Sequence, residues 1–161
     1  MSIEKARNYL KRFGADGRIL EFDVSSATVE LAAVAVGVEP ARIAKTLSFA
    51  VDGAPVLIVV AGDAKVDNRK FKEYFHQKAK MLPREEAAEL VGHAVGGVCP
   101  FGVNDGVVTY LDESMRRFGT VFPAAGSDNS AIELTLDELA EFSHAEAWVD
   151  VCKLPEEAVG V

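Results

Sequence analysis

The spacing of apolar residues along the chain predicts five helices. Apolar side chains three and four positions apart fall on one face of a helix, and this spacing predicts helices over residues 2–13 and 28–36. Further helices are predicted from Asp67 to about His76, from Pro83 to Val91, and from Thr135 to about Phe142. Thr135 and Glu138 have the spacing of a capping box, in which each side chain bonds to the other's backbone N–H.

A hairpin is the strongest strand signal. Residues 43–51 and 55–61 are mostly apolar and flank Asp52-Gly53, a dipeptide typical of a two-residue hairpin turn. Residues 56–61 are all apolar, which predicts a central strand covered on both faces. Short strands are also predicted at 18–23, 107–111, 120–122, 131–134 and 147–151. Because these strands do not alternate strictly with helices, we expect an α+β fold with a mixed, largely antiparallel twisted sheet and flanking helices.

The composition is that of a folded domain. The chain has 161 residues, of which 49% are hydrophobic, enough to bury a sizeable core. We expect one domain over residues 1–153 and a flexible tail over 154–161. Apolar runs reach only six residues, too few to span a membrane, and the N-terminus shows no apolar signal core. Two cysteines make no disulfide framework, so a cytoplasmic location is expected.

Charge is distributed unevenly along the chain. The net charge is −8, yet residues 65–84 carry seven basic and two acidic side chains, whereas residues 85–161 carry three and fifteen. A basic strip on an acidic body can guide a polyanion to one place. Lys65, Arg69, Lys70 and Lys72 are therefore candidates for binding RNA, and a solvated helix face is the alternative.

Lys45 is the most unusual single position, because it interrupts the apolar run 43–51. A buried ammonium group needs water, a carboxylate or a ligand anion. Either the side chain extends out of the sheet along its aliphatic stem, or it presents a positive charge to a phosphate or carbonyl oxygen in a pocket.

Residues 92–102 contain four glycines and one proline. Such a stretch is either a long turn or a loop whose uncovered N–H groups let a ligand approach the backbone. Cys99 follows His93 by six residues, so a Cys–His nucleophile is one interpretation, although buried structural cysteines are commoner. The polar turn at 126–130 could likewise be an Asx-turn or a ligand rim. The His and Cys spacing matches no metal site, and no phosphate or dinucleotide fingerprint is present, so neither metal nor cofactor is expected.

Three blocks, in this order along the chain, resemble the YbaK family, the stand-alone relatives of the editing domain in bacterial prolyl-tRNA synthetase. They are Ala44-Lys45-Thr46-Leu47, the Gly-Gly-Val-Cys-Pro-Phe-Gly segment at 96–102, and residues 125–134 with Ala-Gly at one end and Ala-Ile-Glu-Leu at the other. The resemblance covers nearly the whole chain, from the first helix to about residue 152.

The resemblance implies a hydrolase of translation fidelity that cleaves the ester of a mischarged aminoacyl-tRNA. Lys45 and Gly97 would be its catalytic positions, with the lysine holding the terminal adenosine's phosphate or the substrate backbone. Loop residues 96–100 would offer N–H groups to the ester carbonyl. Water or the tRNA's ribose hydroxyl would attack, or the substrate's own thiol for cysteine. The substrate-binding positions would be Phe22, Thr46, Gly96, Val98, Cys99, Pro100, Phe101, Gly126, Ser127, Asp128, Asn129 and Ser130.

Two departures from the family pattern bear on specificity. Phe22 and Ala124 stand where the cysteine-specific members carry tyrosine and serine, and each removes a hydroxyl from the expected pocket. Alanine, serine, threonine or another small residue therefore stays open as the amino acid removed. Mischarged tRNA is the expected partner and a synthetase a further candidate, whereas membrane and DNA are not expected. The alternatives are a non-catalytic module that binds aminoacyl-tRNA or an amino-acid-like ligand, and a thiol enzyme using Cys99.

Overall fold

A computed structural model describes residues 2–93 and 98–155 of the protein. The helices of this part of the chain are α1 (Ser2–Leu10), α2 (Val29–Val36), α3 (Asn68–Phe75), α4 (Arg84–Val91) and α5 (Leu136–Phe142). The strands are β1 (Ile19–Glu21), β2 (Ile43–Val51), β3 (Ala54–Ala61), β4 (Lys65–Val66), β5 (Val108–Asp112), β6 (Thr120–Pro123), β7 (Ser130–Ile132), β8 (Leu134–Thr135), β9 (Ala147–Val149) and β10 (Cys152–Lys153). Residues 156–161 of the predicted tail lie outside the described residues, and Leu154 packs against the core.

The hairpin of β2 and β3 is the centre of a six-stranded sheet with the order β8-β6-β2-β3-β5-β9. Its turn residues Asp52 and Gly53 both have positive φ, 52° and 78°, as a type I′ turn requires. Residues 57–61 of β3 are completely buried. The predicted hairpin and its central strand are therefore confirmed.

The sheet mixes strand directions. In the described residues β2 pairs with β3 and β6 with β8 in antiparallel fashion, whereas the β2–β6, β3–β5 and β5–β9 pairs are parallel. Two antiparallel ribbons, β1–β7 and β4–β10, lie beside the main sheet. With five helices around these strands, the predicted α+β fold with a mixed sheet is confirmed.

Local capping signals correctly predicted the starts of α3 and α5. The Asp67 carboxylate accepts from the N–H groups of Arg69 and Lys70 at the start of α3. Thr135 and Glu138 form both bonds of the capping box at the start of α5. The predicted first helix is α-helical only to Leu10, and a 3-10 turn then leads to Gly14, whose φ of 69° ends it.

Two predicted strands differ from those observed. The strand predicted at 147–151 is divided. The buried Asp112 carboxylate accepts the Val151 N–H at 2.9 Å, so this N–H does not bond to the backbone of a neighbouring strand. The chain then forms β10, which pairs with β4, a strand too short to show a periodic pattern. The strand predicted at 131–134 is divided into β7 and β8, whose partners are different strands.

Helix α2 packs on the sheet apart from the main core. Ala32 and Ala33 form a small separate cluster with Ile43 of β2 and Phe122 of β6. The main core lies instead beneath α1, α3 and α5, where Phe49 and Phe71 have ring centroids 4.9 Å apart. The described residues contain no helix long and apolar enough to cross a membrane.

Candidate functional site

A cavity of about 520 Å³ opens between β2 and α2. Its lining comes from five separate parts of the sequence: residues 26–29 and 32; residues 43–48 of β2; residues 81, 82, 84 and 87; residue 98; and residues 122, 124, 130 and 131. Lys45 and Thr46, two neighbouring residues of β2, both belong to this lining.

The charge of this cavity is opposite to that of the whole protein. Lys45 and Arg84 line it, and no Asp or Glu does so among the described residues, although the chain carries 25 acidic and 17 basic side chains. Most other lining residues are apolar, such as Ile43, Phe122 and Ala124. A site with this lining favours a ligand that joins a small uncharged group to an anionic or carbonyl-bearing one.

Lys45 is half-buried, and its ammonium nitrogen lies 3.5 Å from the carbonyl oxygen of Gly62. Burial lowers the pKa of Lys45 below its ordinary value. The nearby Cys152, Asp63 and Glu30 oppose this shift, and the positive charge of Lys65 adds to it. The lysine is thus held at the cavity with few polar partners, as a ligand-binding cation would be.

Two hydroxyl groups at the cavity have no hydrogen-bond partner in the described residues. They are Oγ1 of Thr46 and Oγ of Ser26, and both atoms are shielded from solvent. A buried hydroxyl without a partner costs roughly 1–3 kcal/mol. A polar ligand group would remove that cost, which makes these hydroxyls candidate binding groups.

Comparisons with known proteins agree with this geometry. The sequence profile of the aminoacyl-tRNA editing domain matches residues 24–142, a segment that contains every described residue lining the cavity. The chain belongs to the aminoacyl-tRNA editing domain family. The resemblance to the YbaK family is therefore confirmed.

Related proteins span the whole domain. A Bacillus subtilis (strain 168) protein described as uncharacterized protein YwhH is 53% identical over 154 residues, covering 95% of this chain and 98% of that protein. A solved structure described as a candidate trans-editing enzyme for prolyl tRNA synthetase has a TM-score of 0.84 and 29% identity, covering 94% of this chain and 97% of that one. The proline–tRNA ligase of Lactiplantibacillus plantarum is 29% identical over 111 residues, which are 68% of this chain but 19% of the ligase.

In this editing domain the polar turn at 126–130 is fastened to the segment after β1. The Ser127 hydroxyl lies 2.9 Å from Asn129 Oδ1 and 2.7 Å from Ser130 Oγ. Asn129 donates its amide to the Phe22 carbonyl at 3.0 Å, and the Phe22 N–H donates to the Asn129 carbonyl at 2.8 Å. Gly126 begins the turn with a φ of 96°. These hydrogen bonds hold the turn in one conformation, and its last residue, Ser130, lines the cavity.

The structure places the predicted substrate-binding residues in several different surroundings. Thr46, Val98 and Ser130 line the cavity together with Lys45. Ser127, Asn129 and Phe22 shape the turn, while Asp128 is exposed and its carbonyl accepts the Ser26 N–H at 2.6 Å. Gly96 and Gly97 lie outside the described residues. Pro100 lines a separate cavity of about 480 Å³, and Cys99 and Phe101 are completely buried.

Cys99 does not have the surroundings of a nucleophile. His93 Nε2 lies 2.6 Å from the Phe101 carbonyl oxygen and 3.5 Å from Cys99 Sγ. A nitrogen that donates to a carbonyl already carries a proton, so it cannot accept the thiol proton. Burial raises the pKa of the Cys99 thiol to about 12. The geometry therefore favours a structural cysteine over a thiol enzyme.

The basic strip lies outside the cavity except at its end. Lys70 donates to the Asp150 carboxylate at 3.2 Å and to the Cys152 carbonyl at 2.8 Å, and Arg69 pairs with Glu73. Lys65 and Lys72 are exposed. Arg84 is a lining residue that was not among the predicted site residues. The sequence feature that could have identified Arg84 is its position at the end of the basic run, directly after Pro83 at the start of α4.

Proposed function

We propose that this protein is a stand-alone deacylase that hydrolyses the ester bond of tRNA mischarged with a small amino acid. The observation that carries the proposal is the lining of the cavity beside β2. Two cationic side chains, Lys45 and Arg84, and two hydroxyls without hydrogen-bond partners line it, and no carboxylate among the described residues does. The aminoacyl end of a tRNA presents a matching ligand: a phosphodiester, an ester carbonyl and an amino-acid side chain within a few bonds. Membership of the editing family supports the same reaction.

The proposed reaction breaks the bond between the amino acid's carbonyl carbon and the ribose oxygen. Water attacks this carbon directly, or the adjacent ribose hydroxyl assists, and the products are a free amino acid and uncharged tRNA. Negative charge grows on the carbonyl oxygen in the transition state, so preorganised donors accelerate the step. We assign Lys45 to the substrate phosphate or carbonyl. Backbone N–H groups of the loop before Pro100, which has no N–H to donate, are assigned to the developing oxyanion, with Gly97 as the central donor.

The cavity lining favours a small amino acid. Ile43, Phe122 and Ala124 give the cavity apolar lining, and neither Ala124 nor the nearby Phe22 has the hydroxyl discussed above. Thr46 and Ser26 offer hydroxyls to a polar substituent. A pocket discriminates strongly when its polar groups lose a partner and only weakly when a methylene is missing. Alanine, serine and threonine are therefore the substrates to separate experimentally.

The tRNA is proposed to approach across the basic strip toward Arg84. Lys65, Lys70, Arg69 and Lys72 belong to this surface. Proline–tRNA ligases are among the relatives, and a similar structure is described as a candidate trans-editing enzyme for prolyl tRNA synthetase. We therefore propose proline tRNA as the carrier, a prolyl-tRNA synthetase as a candidate partner, and the cytoplasm as the location.

The proposal is tested by measuring release of labelled amino acid from proline tRNA charged with alanine, serine, threonine, cysteine or proline. Wild type should deacylate one or more small non-cognate esters and spare prolyl-tRNA, and Lys45→Ala should lose this activity. Lys11→Ala, an exposed lysine outside the cavity lining, is the matched control. Tight binding of the charged tRNAs without release of any amino acid would favour the non-catalytic module instead.

A further inference from the structure

A 3-10 turn at Glu113–Arg117 clamps the end of β3 next to Lys45. Ser114 accepts the Ala61 N–H on its hydroxyl at 3.1 Å, and this bond is buried. Arg117 donates its Nε to the Ser114 carbonyl at 2.9 Å and its two terminal nitrogens to the Asp63 carboxylate at 2.5 and 3.0 Å. A two-point arginine–carboxylate contact fixes orientation as well as distance. The chain at Gly62 and Asp63 is thus held by a segment more than fifty residues away in the sequence.

Gly62 lies between this clamp and the lysine. A Cβ atom at this position would lie 2.1 Å from the Pro40 carbonyl oxygen and 2.8 Å from a Val29 methyl carbon. Because Gly62 has no side chain, the start of α2 and the segment before β2 can pack directly against the backbone at Gly62. The Gly62 carbonyl oxygen is in this way placed 3.5 Å from the Lys45 ammonium.

The titratable groups that act on Lys45 come from several elements, and the buried thiol of Cys152 is the one among them that stays uncharged at neutral pH. Asp63 lies in the clamped turn, Cys152 in β10, Glu30 in α2 and Lys65 in β4. The hydrogen bonds from Arg117 lower the pKa of Asp63, so the carboxylate is ionised at neutral pH. Asp63 favours the charged form of the lysine, while burial and Lys65 disfavour it.

We infer that Asp63 and Arg117 are positioning residues for Lys45. The pair holds the Gly62 carbonyl in place, and the Asp63 carboxylate attracts both the Lys45 ammonium and the Arg117 guanidinium. The inference rests on the proposed function only for the role of Lys45 in deacylation. Neither Asp63 nor Arg117 lines the cavity, so each acts through the lysine and not on the substrate.

The two positioning residues have opposite expected effects on the protonation of Lys45. Asp63→Asn removes an attracting negative charge and keeps the positive charge of Arg117, so the lysine should lose its proton at lower pH. Arg117→Gln frees the Asp63 carboxylate to act on the lysine alone, so the proton should be held to higher pH. Each shift should be about half a pH unit or more, the size expected for a nearby charge in a partly buried site. A residue that merely stabilises the fold would not produce shifts of opposite sign.

The test is an NMR titration of side-chain ¹³Cε-labelled lysine, with the Lys45 signal assigned by its absence in Lys45→Arg. Asp63→Asn should lower the midpoint and Arg117→Gln should raise it. Arg117→Lys, which keeps the charge, should leave the midpoint near wild type, and Asp150→Asn, which removes one partner of Lys70, is the control. Unchanged midpoints, or shifts of the same sign, in variants that melt cooperatively would overturn the inference.

The pH profile of deacylation then separates this inference from the proposed function. If both hold, the loss of activity at high pH moves in the same direction as each NMR midpoint. Shifted midpoints with no deacylation by any variant would contradict the proposed function alone. Deacylation with unshifted midpoints would contradict the positioning role alone.

Discussion

Lys45 and Gly62 meet where β3 leaves the sheet, with the lysine ammonium 3.5 Å from the glycine carbonyl oxygen. Register places Lys45 opposite Val60 in the hairpin, so the cation arises from the same two strands that form the centre of the fold. The contact joins the most buried part of the sheet to the cavity. Its geometry depends on a glycine that the surrounding backbone leaves no room to replace.

Gly62→Ala should therefore damage both stability and activity. The added methyl would meet the Pro40 carbonyl oxygen at 2.1 Å, and overpacking of this kind costs about 1–3 kcal/mol. Gly119→Ala is the matched control, because nothing lies within 4 Å of a Cβ at that position. Urea denaturation should show a lower free energy of unfolding only for Gly62→Ala. Equal values for the two variants would contradict the close packing described at Gly62.

Cys99→Ala should retain deacylation while losing some stability. The thiol is completely buried, and the neighbouring His93 nitrogen that faces it donates to a carbonyl. Removing the buried sulfur leaves a small cavity, which should cost about 1–2 kcal/mol. Steady-state kcat/KM for the preferred ester should stay at the wild-type value. A loss on the order of 10⁶-fold in a folded variant, the scale for a catalytic nucleophile, would restore the thiol-enzyme interpretation.

Glu138→Gln should lower stability near neutral pH but not in strong acid. Hydrogen bonds from Arg18 and from the Thr135 backbone lower the pKa of Glu138 from 4.5 to about 2. Its folded-state pKa is below its unfolded-state value, so its stabilisation is complete above about pH 4.5 and disappears as the pH falls through about 2. Because the pair is partly exposed, its contribution should be only about 0.5–1 kcal/mol.

Denaturant unfolding at several pH values measures this difference. The Arg18–Glu138 pair should make the unfolding free energy of wild type exceed that of Glu138→Gln by a constant amount from about pH 5 to 7. This difference should disappear as the pH approaches about 2. Glu141→Gln, one turn further along α5 and exposed, should show no such pattern. A gap that persists unchanged at the acid end would contradict the proposed linkage.

Signals contained within a few residues predicted much of the fold. Asp52-Gly53 predicted the hairpin, Asp67 predicted the start of α3, and Thr135 with Glu138 predicted the start of α5. Each acts through hydrogen bonds or dihedral angles between near neighbours, so a short window of sequence is sufficient. The two-residue strands β4 and β10 were missed because they contain too few residues to show a period.

The candidate site was predicted less completely, because it is assembled from distant segments. Lys45 was visible as a charged residue within an apolar strand, whereas Thr46, Val98 and Ser130 were predicted through the family resemblance. Ser26 and Arg84 reach the cavity only through the packing of α2 and α4 on the sheet. The Asp63–Arg117 contact joins residues 54 positions apart, and no local pattern marks such a pair.

The central claim is that Lys45 acts on the substrate of a deacylase and is not required for folding. The most direct measurement is single-turnover hydrolysis of alanyl, seryl and threonyl esters of proline tRNA by wild type, Lys45→Met and Lys11→Met, alongside thermal melting of each. Loss of one preorganised donor costs on the order of 10²- to 10³-fold in rate. We therefore expect Lys45→Met to lose at least about 10²-fold in rate without a lower melting temperature, and Lys11→Met to match wild type. Equal hydrolysis by Lys45→Met and wild type, or no hydrolysis of any ester by wild type, would contradict the account.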